Sequence, residues 1–376
     1  MKKSNFLSQE LAILGGGQLG LMLIQKAYDF NIDCSVLEPD LNAPCKNICK
    51  SFTNGSLNDF DSVYNFGKDK KVLTIEIEHV NVEALQKLEN EGVKVYPQPK
   101  ILKIIQDKGL QKQFYKENNI PTAPFSLIEN ASGIVNFPIV QKLRKGGYDG
   151  KGVQLLKTKD DLNKAFNEAS VLEEAIAIEK EIAVIVARNV SGEIKAFPAV
   201  EMEFNPEANL VEFLFSPAAI SKEQETEAEK IACEIAQKLG IVGLLAVELF
   251  VTKDNKILVN EIAPRPHNSG HQTIEGNITS QYEQHLRAIF DMPLGDTSII
   301  KPSVMVNLLG EAGYTGEANY LGVDEVMKME GAYVHLYGKK TTKPFRKMGH
   351  VTVVNDDLEK AKKAGKKVIQ VLKIIS

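Results

Sequence analysis

The chain has 376 residues, enough for two or three domains of ordinary size, and carries 45 Lys+Arg against 49 Asp+Glu for a net charge of -4. Its 43% apolar and 25% charged fractions are those of ordinary soluble proteins, which argues against a polyanion-binding surface and predicts no nucleic-acid partner. No segment reaches the roughly 18 uninterrupted apolar residues of a membrane helix, and the apolar run behind Met1-Lys2-Lys3, residues 11–14, is too short for a signal peptide.

Residues 11–14 read as a strand, 18–29 as a helix, 33–37 as a second strand and 72–77 as another, the alternation of an α/β layer with a parallel sheet. Between the first strand and helix, Gly15-Gly16-Gly17-Gln18-Leu19-Gly20 satisfies G-x-G-x-x-G, and Glu38 ends the next strand 18 residues later. Such a turn can admit a pyrophosphate to the helix N-terminus with an acid on a ribose hydroxyl; it also serves tight helix–strand packing, or another phosphorylated ligand. The four cysteines (Cys34, Cys45, Cys49, Cys233) form no CxxC pair, so a reducing, cytoplasmic setting is expected.

Tyr96-Pro97-Gln98-Pro99 interrupts the pattern and marks the first domain boundary. A helix over 106–118 leads to the connector Ile120-Pro121-Thr122-Ala123-Pro124, then come a strand over 138–143, a glycine-rich loop, a helix over 160–170 and β-rich stretches from 181 to 215. Ser221 opens a long helix with Gln224 in the capping-box position, and Gly240 closes it. A hairpin follows, then a helix announced by Ser280 and Glu283, and from about residue 300 short strands predict a small β-rich domain. The domains are placed at 1–98, 99–298 and 299–376.

Three stretches carry chemistry. Residues 244–252 and 256–262 are apolar runs around Asp254-Asn255, which suit a two-residue hairpin loop. Residues then pair when their numbers sum to 509, so Glu248 stands opposite Glu261, with Asn260 on the other face and able to reach a nucleotide from there. Two like charges facing each other in apolar strands are unfavourable unless one takes a proton or a cation sits between them. Carboxylate oxygens completed by substrate phosphates are how proteins usually hold Mg²⁺; the alternative is a frayed strand with two solvated glutamates.

After the strand over 138–143, which carries Lys142, the loop from Arg144 places Gly146, Gly147, Gly150 and Gly152 within seven residues, among Lys145 and Lys151. Backbone N–H groups of such a loop approach phosphate oxygens, and the lysines add charge, so a lid over triphosphate is expected rather than a plain surface turn. Behind the hairpin, residues 260–271 (NEIAPRPHNSGH) are dense in directional polar groups. His267 and His271 are four apart, but Pro266 and Gly270 oppose the helix that a zinc pair needs. A loop delivering Arg265 and His267 to an anionic substrate is the better reading. Lys339 and Arg346 flank a basic turn that holds a phosphate or faces water.

Nearly the whole chain, from Leu11 to about Gly349, resembles the N5-carboxyaminoimidazole ribonucleotide synthase family of ATP-grasp enzymes. The resemblance rests on residues 15–20 followed by Leu21-Met22, on Glu76-Ile77-Glu78-His79-Val80, on GGYDGKG over 146–152, on NEIAPRPHNSGH, and on Tyr337-Gly338-Lys339 with Arg346 seven residues later. It implies an α/β and α+β architecture: an N-terminal Rossmann-like domain that binds no dinucleotide, an ATP-grasp domain of two lobes, and a small C-terminal β-rich domain.

By the same resemblance, ATP is held by Lys108, Lys142, Gly147, Tyr148, Asp149, Gly150, Lys151, Gly152, the linker Glu173-Glu174-Ala175-Ile176, Glu181, Phe204, Asn260 and Glu261. Glu248 and Glu261 hold Mg²⁺. Gln18, Glu76, Glu78, Tyr148, Arg265, His267, Lys339 and Arg346 contact 5-aminoimidazole ribonucleotide, and Arg265, His267 and Lys142 take part in catalysis. Lys108 stands where the family usually has Arg, Phe204 where many members have His, and the linker's third residue, Ala175, where members commonly have a bulkier one.

The implied reaction joins ATP, bicarbonate and 5-aminoimidazole ribonucleotide through carboxyphosphate, in purine biosynthesis, by a homodimer. Two other enzyme classes fit some of the motifs: a formate-using ribonucleotide formyltransferase of the same fold, and an NAD-dependent dehydrogenase built on the glycine fingerprint. A non-catalytic nucleotide-binding protein is disfavoured, because paired glutamates and a lid are parts for transfer.

Overall fold

Leu11 to Leu14 and Val72 to Ile75 are buried without alternation, as strands are when a parallel sheet is covered on both faces. The structure, a computed structural model, describes residues 9–147, 152–205 and 210–376. Its first layer runs β1 (Glu10–Leu14), α1 (Gln18–Asp29), β2 (Asp33–Glu38), β3 (Ser51–Asn54), α2 (Phe60–Gly67), β4 (Val72–Ile75), α3 (Val82–Asn90) and β5 (Lys94–Tyr96). The five strands are parallel in the order β3-β2-β1-β4-β5. Leu23 and Ile24 of α1 cover one face, and Val63, Leu85 and Leu88 of α2 and α3 the other.

The helix expected over 106–118 forms as α5 (Lys108–Glu117), and a short helix not read from the sequence, α4 (Pro99–Ile105), precedes it. Asp107 separates them because its carboxylate caps α5, accepting from Gly109 N at 2.8 Å. A second sheet, β6-β9-β7-β8, is antiparallel and contains β6 (Phe125–Ile128), β7 (Ile139–Leu143), β8 (Val153–Leu156) and β9 (Ser170–Glu174). The helix expected over 160–170 is a correction: only a 3₁₀ turn, Lys159–Lys164, forms there. The buried Gln141 side chain accepts from Phe166 N at 2.9 Å and donates to Phe166 O at 2.7 Å, so tertiary bonding takes that peptide and leads the chain into β9.

The main sheet begins with β10 (Ile178–Arg188), β11 (Ile194–Ala196), β12 (Val200–Asn205) and β13 (Leu210–Ser216). Next come α6 (Lys222–Leu239), β14 (Gly243–Thr252), β15 (Ile257–Ala263), α7 (Thr273–Gly276) and α8 (Gln281–Ile289). Helix α6 has the Ser221/Gln224 capping box and ends on Gly240 in the left-handed region (φ 64°). Its Ile231, Ile235 and Leu239 pack on Ile182, Val184 and Val247 of β10 and β14.

The remaining chain adds β16 (Ser303–Leu309), β17 (Gly316–Glu317), β18 (Asn319–Leu321), α9 (Val323–Met327), β19 (Ala332–Leu336), β20 (Thr341–Thr342), β21 (Lys347–Val354), α10 (Leu358–Val371) and β22 (Lys373–Ile375). Strands β16, β21 and β19 extend the main sheet, in the order β15-β14-β10-β12-β13-β16-β21-β19 with β11 against β10. The segment after residue 300 is therefore built onto the central sheet through Phe213↔Val306 and Phe215↔Val304. Helix α10 is absent from the strand pattern read there, because its buried face is made of Ala361, Gly365 and Val368, of which only Val368 is a large apolar signal. No helix among the described residues is long and apolar enough to cross a membrane.

Candidate active site

Glu248 of β14 and Glu261 of β15 are register partners, as the sequence predicts, but by a different route. The hairpin loop has three residues, Lys253-Asp254-Asn255, with Asn255 at φ 63° and Thr252 N donating to Lys256 O. Near the loop, partners therefore sum to 508, as in Val251↔Ile257 and Leu249↔Val259. A β-bulge at Asn260 inserts one residue and restores the opposition of the glutamates. The bulge also corrects the expected facing of Asn260. Its Oδ1 accepts from Lys142 Nζ at 2.7 Å while Glu261 next to it accepts from Lys108 Nζ, so both residues serve one cleft.

Burial, then the charges of Glu261 and Glu181, push the Glu248 carboxyl well up. Lys108 holds the Glu261 carboxyl well down, with help from Lys142. Lys142, on β7, also pairs with Glu173 Oε2 at 3.0 Å; Glu173 stands opposite Val140 on β9 and is thus a diagonal neighbour on the same face. Glu173 Oε1 lies 3.0 Å from Lys112 Nζ. That lysine donates to Thr122 Oγ1 at 2.5 Å, and Thr122 in turn to Val259 O on β15. Burial pushes Lys112 down to about 8, against the pull of Glu173. Both carboxylate oxygens of Glu173 therefore face ammonium groups within the protein.

The rest of the linker leaves β9 after the exposed Glu174, whose N–H bonds Pro124 O, and passes through Ala175 and Ile176 before β10. Glu181 on β10 is two residues before Ala183, the register partner of Glu248, and so shares the face of that acid; burial raises its carboxyl against the pull of Lys142. Phe204 packs on Ala183, Val200, Met202, Leu214 and Met305. In the glycine loop, Gly152 O accepts from Leu143 N at 2.8 Å and Gly146 and Gly152 have φ of 79° and 77°; Gly147 is also described, whereas Tyr148, Asp149, Gly150 and Lys151 lie outside the described residues.

Arg265 reaches Glu78 with two nitrogens, Nη2 to Oε1 at 3.1 Å and Nε to Oε2. Burial alone would raise the Glu78 carboxyl, but the guanidinium brings it down to about 2. His267 Nδ1 is 2.9 Å from Ser269 Oγ and also accepts from Ser269 N, which leaves its proton on Nε2, 3.6 Å from Glu248 Oε1. Burial, with Arg265 and Lys347, pushes His267 down to about 3, so the imidazole is neutral. His271 does not join it: its Nδ1 lies 3.0 Å from Tyr282 OH and its ring stacks on His350.

Glu76 is engaged by backbone donors of the N-terminal layer, within electrostatic reach of Arg265. Its carboxylate accepts from Gly17 N at 2.7 Å and Gly20 N at 2.9 Å, while Glu38 accepts from Gly16 N at 2.7 Å. The donors that a dinucleotide pyrophosphate would use are thus held by two of the protein's own acids, and a Cβ on Gly17 would lie 2.6 Å from Glu76 Oε1. Gln18 is the first residue of α1 beside this cradle. Lys339 Nζ donates to Lys347 O at 2.7 Å, and Arg346 Nη1 donates to Thr341 O at 2.7 Å and Thr341 Oγ1 at 2.9 Å.

Family models match along most of the chain: a ribonucleotide synthetase preATP-grasp domain over 8–106, an ATP-grasp domain over 113–282, and a phosphoribosylaminoimidazole carboxylase C-terminal domain over 303–364. The chain is 35% identical to N5-carboxyaminoimidazole ribonucleotide synthase of Bacillus subtilis, over 91% of this chain and 90% of that one. It belongs to the N5-carboxyaminoimidazole ribonucleotide synthase family.

The synthetase crystal structure from Thermotoga maritima is 43% identical, with a TM-score of 0.91 over 98% of this chain and 99% of that one. The Aspergillus clavatus synthase, solved with ADP and 5-aminoimidazole ribonucleotide, is 30% identical with a TM-score of 0.89 over 97% and 98%. The chain spans 64% of the length of the phosphoribosylaminoimidazole carboxylase of Vigna aconitifolia, to which it is 38% identical.

Two cations of this synthase-family chain escape sequence reasoning. Lys112 is 3% exposed, and its signal is only its place one turn beyond Lys108 on α5. Lys347 opens β21 and acts electrostatically on both Glu248 and His267; beside Arg346 it reads as part of an ordinary basic turn.

Proposed function

We propose that this chain carries out the ATP-dependent carboxylation of 5-aminoimidazole ribonucleotide by bicarbonate, releasing ADP and phosphate in purine biosynthesis. The observation that carries the reading is the opposition of Glu248 and Glu261 beside Lys108 and Lys142, in a chain of this family. A bicarbonate oxygen attacks the γ-phosphorus, the bond from that phosphorus to the bridging oxygen breaks, and ADP leaves. Carboxyphosphate then splits into phosphate and CO₂, and the exocyclic amine of the ribonucleotide bonds to the CO₂ carbon, losing one proton to the departing phosphate.

Phosphoryl transfer asks a protein chiefly for positioning and charge neutralisation. Lys142, oriented by Asn260 and Glu173, presents its ammonium to the phosphates, and Lys108 stands at the mouth of the acidic pair. Glu181 and the linker over Glu173, Glu174, Ala175 and Ile176 bind the nucleoside end, with Phe204 behind them. The glycine loop, with Tyr148 to Lys151, closes over the triphosphate and keeps water from the intermediate. Arg265, neutral His267, Glu78, Lys339 and Arg346 bind and orient the ribonucleotide, with Gln18 and Glu76 at the margin of that site.

Two opposed carboxylates, one kept from ionising by burial and its neighbour, form an oxygen-only donor set that suits a hard cation such as Mg²⁺. When bound by Glu248 and Glu261, Mg²⁺ supplies charge neutralisation on the phosphoryl oxygens. Lys108, which pairs with Glu261 in the structure, would stand beside such an ion with its ammonium near the phosphates. We further assign a cytoplasmic homodimer that associates through the N-terminal domain, to be checked by light scattering. The deciding experiment is an ADP-release assay that omits ATP, bicarbonate or 5-aminoimidazole ribonucleotide in turn. Full turnover with formate in place of bicarbonate would overturn the reading.

A further inference from the structure

Gln281 is the first residue of α8, it is 0% exposed, and no motif in the sequence singles it out. Its side-chain amide reads both backbone polar groups of one residue. His267 N donates to Gln281 Oε1 at 2.8 Å, and Gln281 Nε2 donates to His267 O at 2.8 Å. A backbone N–H can only donate and a backbone C=O can only accept, so these partners fix which end of the amide is oxygen. The remaining amide hydrogen points toward His271 Nδ1, 3.3 Å away.

The glutamine is itself held from both ends. Its own N–H donates to Thr273 Oγ1 at 2.8 Å, and that hydroxyl donates to Gly270 O at 2.6 Å, so α8 and the loop over 267–270 are tied twice. One turn further along α8, His285 Nε2 meets Thr74 Oγ1 of β4 at 2.9 Å and its Nδ1 accepts from Leu244 N of β14, which anchors the helix to two sheets. The loop lies so close to the amide that a Cβ on Gly270 would fall 2.5 Å from Gln281 Oε1.

With its backbone clamped, His267 has little freedom left. Ser269 fixes its Nδ1, and Nε2 is left aimed toward Glu248. We propose that Gln281 is a positioning residue for the carboxylation step, holding the His267 peptide at both its N–H and C=O so that the imidazole stays directed into the substrate cleft. This rests on the reading of His267 as a substrate contact. A buried polar side chain whose bonds all go to one loop can act at a distance from the chemistry, since a shift of about 1 Å in a catalytic group can cost about 100-fold in rate.

The test is a double-mutant cycle on the full chain with Gln281→Met, His267→Asn and the pair combined, following ADP and carboxylated product separately. For Gln281→Met, kcat/KM for 5-aminoimidazole ribonucleotide is expected to fall by about 30- to 100-fold, with the KM for ATP within about 2-fold of the parent and ADP formed in excess of product. The combined variant is expected to lose no more than His267→Asn alone. Losses that multiply, or that fall equally on the ATP and ribonucleotide parameters, mean that Gln281 only supports the fold and overturn the proposal. A crippled His267→Asn beside an unimpaired Gln281→Met overturns the clamp alone. A fully active His267→Asn overturns the reading of His267 and the clamp with it. If Gln281→Met does not fold, Gln281→Glu keeps the acceptor for His267 N–H and loses the donor to His267 O. It should show the same split in smaller measure, and its absence counts against the proposal.

Discussion

Glu248 and Glu261 face each other because two irregularities cancel: a three-residue loop ending on Asn255 shifts the hairpin register by one, and the bulge at Asn260 shifts it back. A slip of one residue in a strand turns every side chain to the other face, so both features are required for the acidic pair. The bulge has a second effect, since it brings Asn260 and Glu261 to Lys142 and Lys108 from adjacent positions.

Glu261→Gln should therefore fold normally and turn over poorly. Losing a charge that would bind a cation at the phosphates is expected to cut ADP release by at least about 100-fold, with the urea midpoint nearly unchanged. ADP release at the parent rate, with all three substrates present, would remove the metal assignment.

Glu76→Ala bears on stability. Helix α1 has no other side-chain cap among the described residues, and the substitution strands Gly17 N and Gly20 N. The expected loss is about 1–3 kcal/mol, read by urea unfolding, and Glu76→Gln should recover part of it by keeping one acceptor.

The Glu78–Arg265 pair predicts an acid-labile contribution. The folded-state carboxyl, at about 2, lies below its ordinary value of 4.5, so the folded protein binds fewer protons there than the unfolded chain. The contribution is fully present above about pH 5 and disappears as the pH falls toward about 2. The stability gap between the parent and Glu78→Gln should accordingly be largest near neutral pH and narrow on acidification. A gap that does not change between pH 6 and pH 3 would contradict the ion pair.

Lys112→Met removes one of the two ammonium groups on Glu173, whose side chain is only 4% exposed. Breaking a buried pair commonly costs about 3–5 kcal/mol, and with Lys142 still in place about 1–3 kcal/mol is expected. Lys142 is then held more tightly by Glu173, and the KM for ATP should rise by about 10-fold while the KM for the ribonucleotide stays within about 2-fold. Calorimetry and initial rates check the two effects separately.

Elements whose ends are specified locally are legible in the sequence. Helix α6 has its capping box and its left-handed Gly240, α8 has the Ser280 cap, and both match the pattern read from the residues. Where distant side chains decide, the pattern misleads. The 160–170 stretch has a helical start in the Thr158/Asp161 box, yet the Gln141 amide takes Phe166 and ends it. The acidic pair is legible because its two strands are adjacent in sequence, although the loop length is not. Lys112, Lys347 and Gln281 are invisible for a common reason: each gains its meaning from a partner on an element far along the chain, such as Lys112 from Glu173.

The unbroken hydrogen bonding from β13 through β16 to β21 makes the last fifth of the chain a cooperative part of the catalytic body, not a passenger. Truncating the protein before Ser303 would strip β13 of its neighbour β16, leaving only β12 beside it, and lay Phe213 and Phe215 bare along an open strand edge, a template for self-association. Melting should accordingly proceed without a separate event for the C-terminal strands, and a shortened protein should precipitate before it loses affinity for nucleotide.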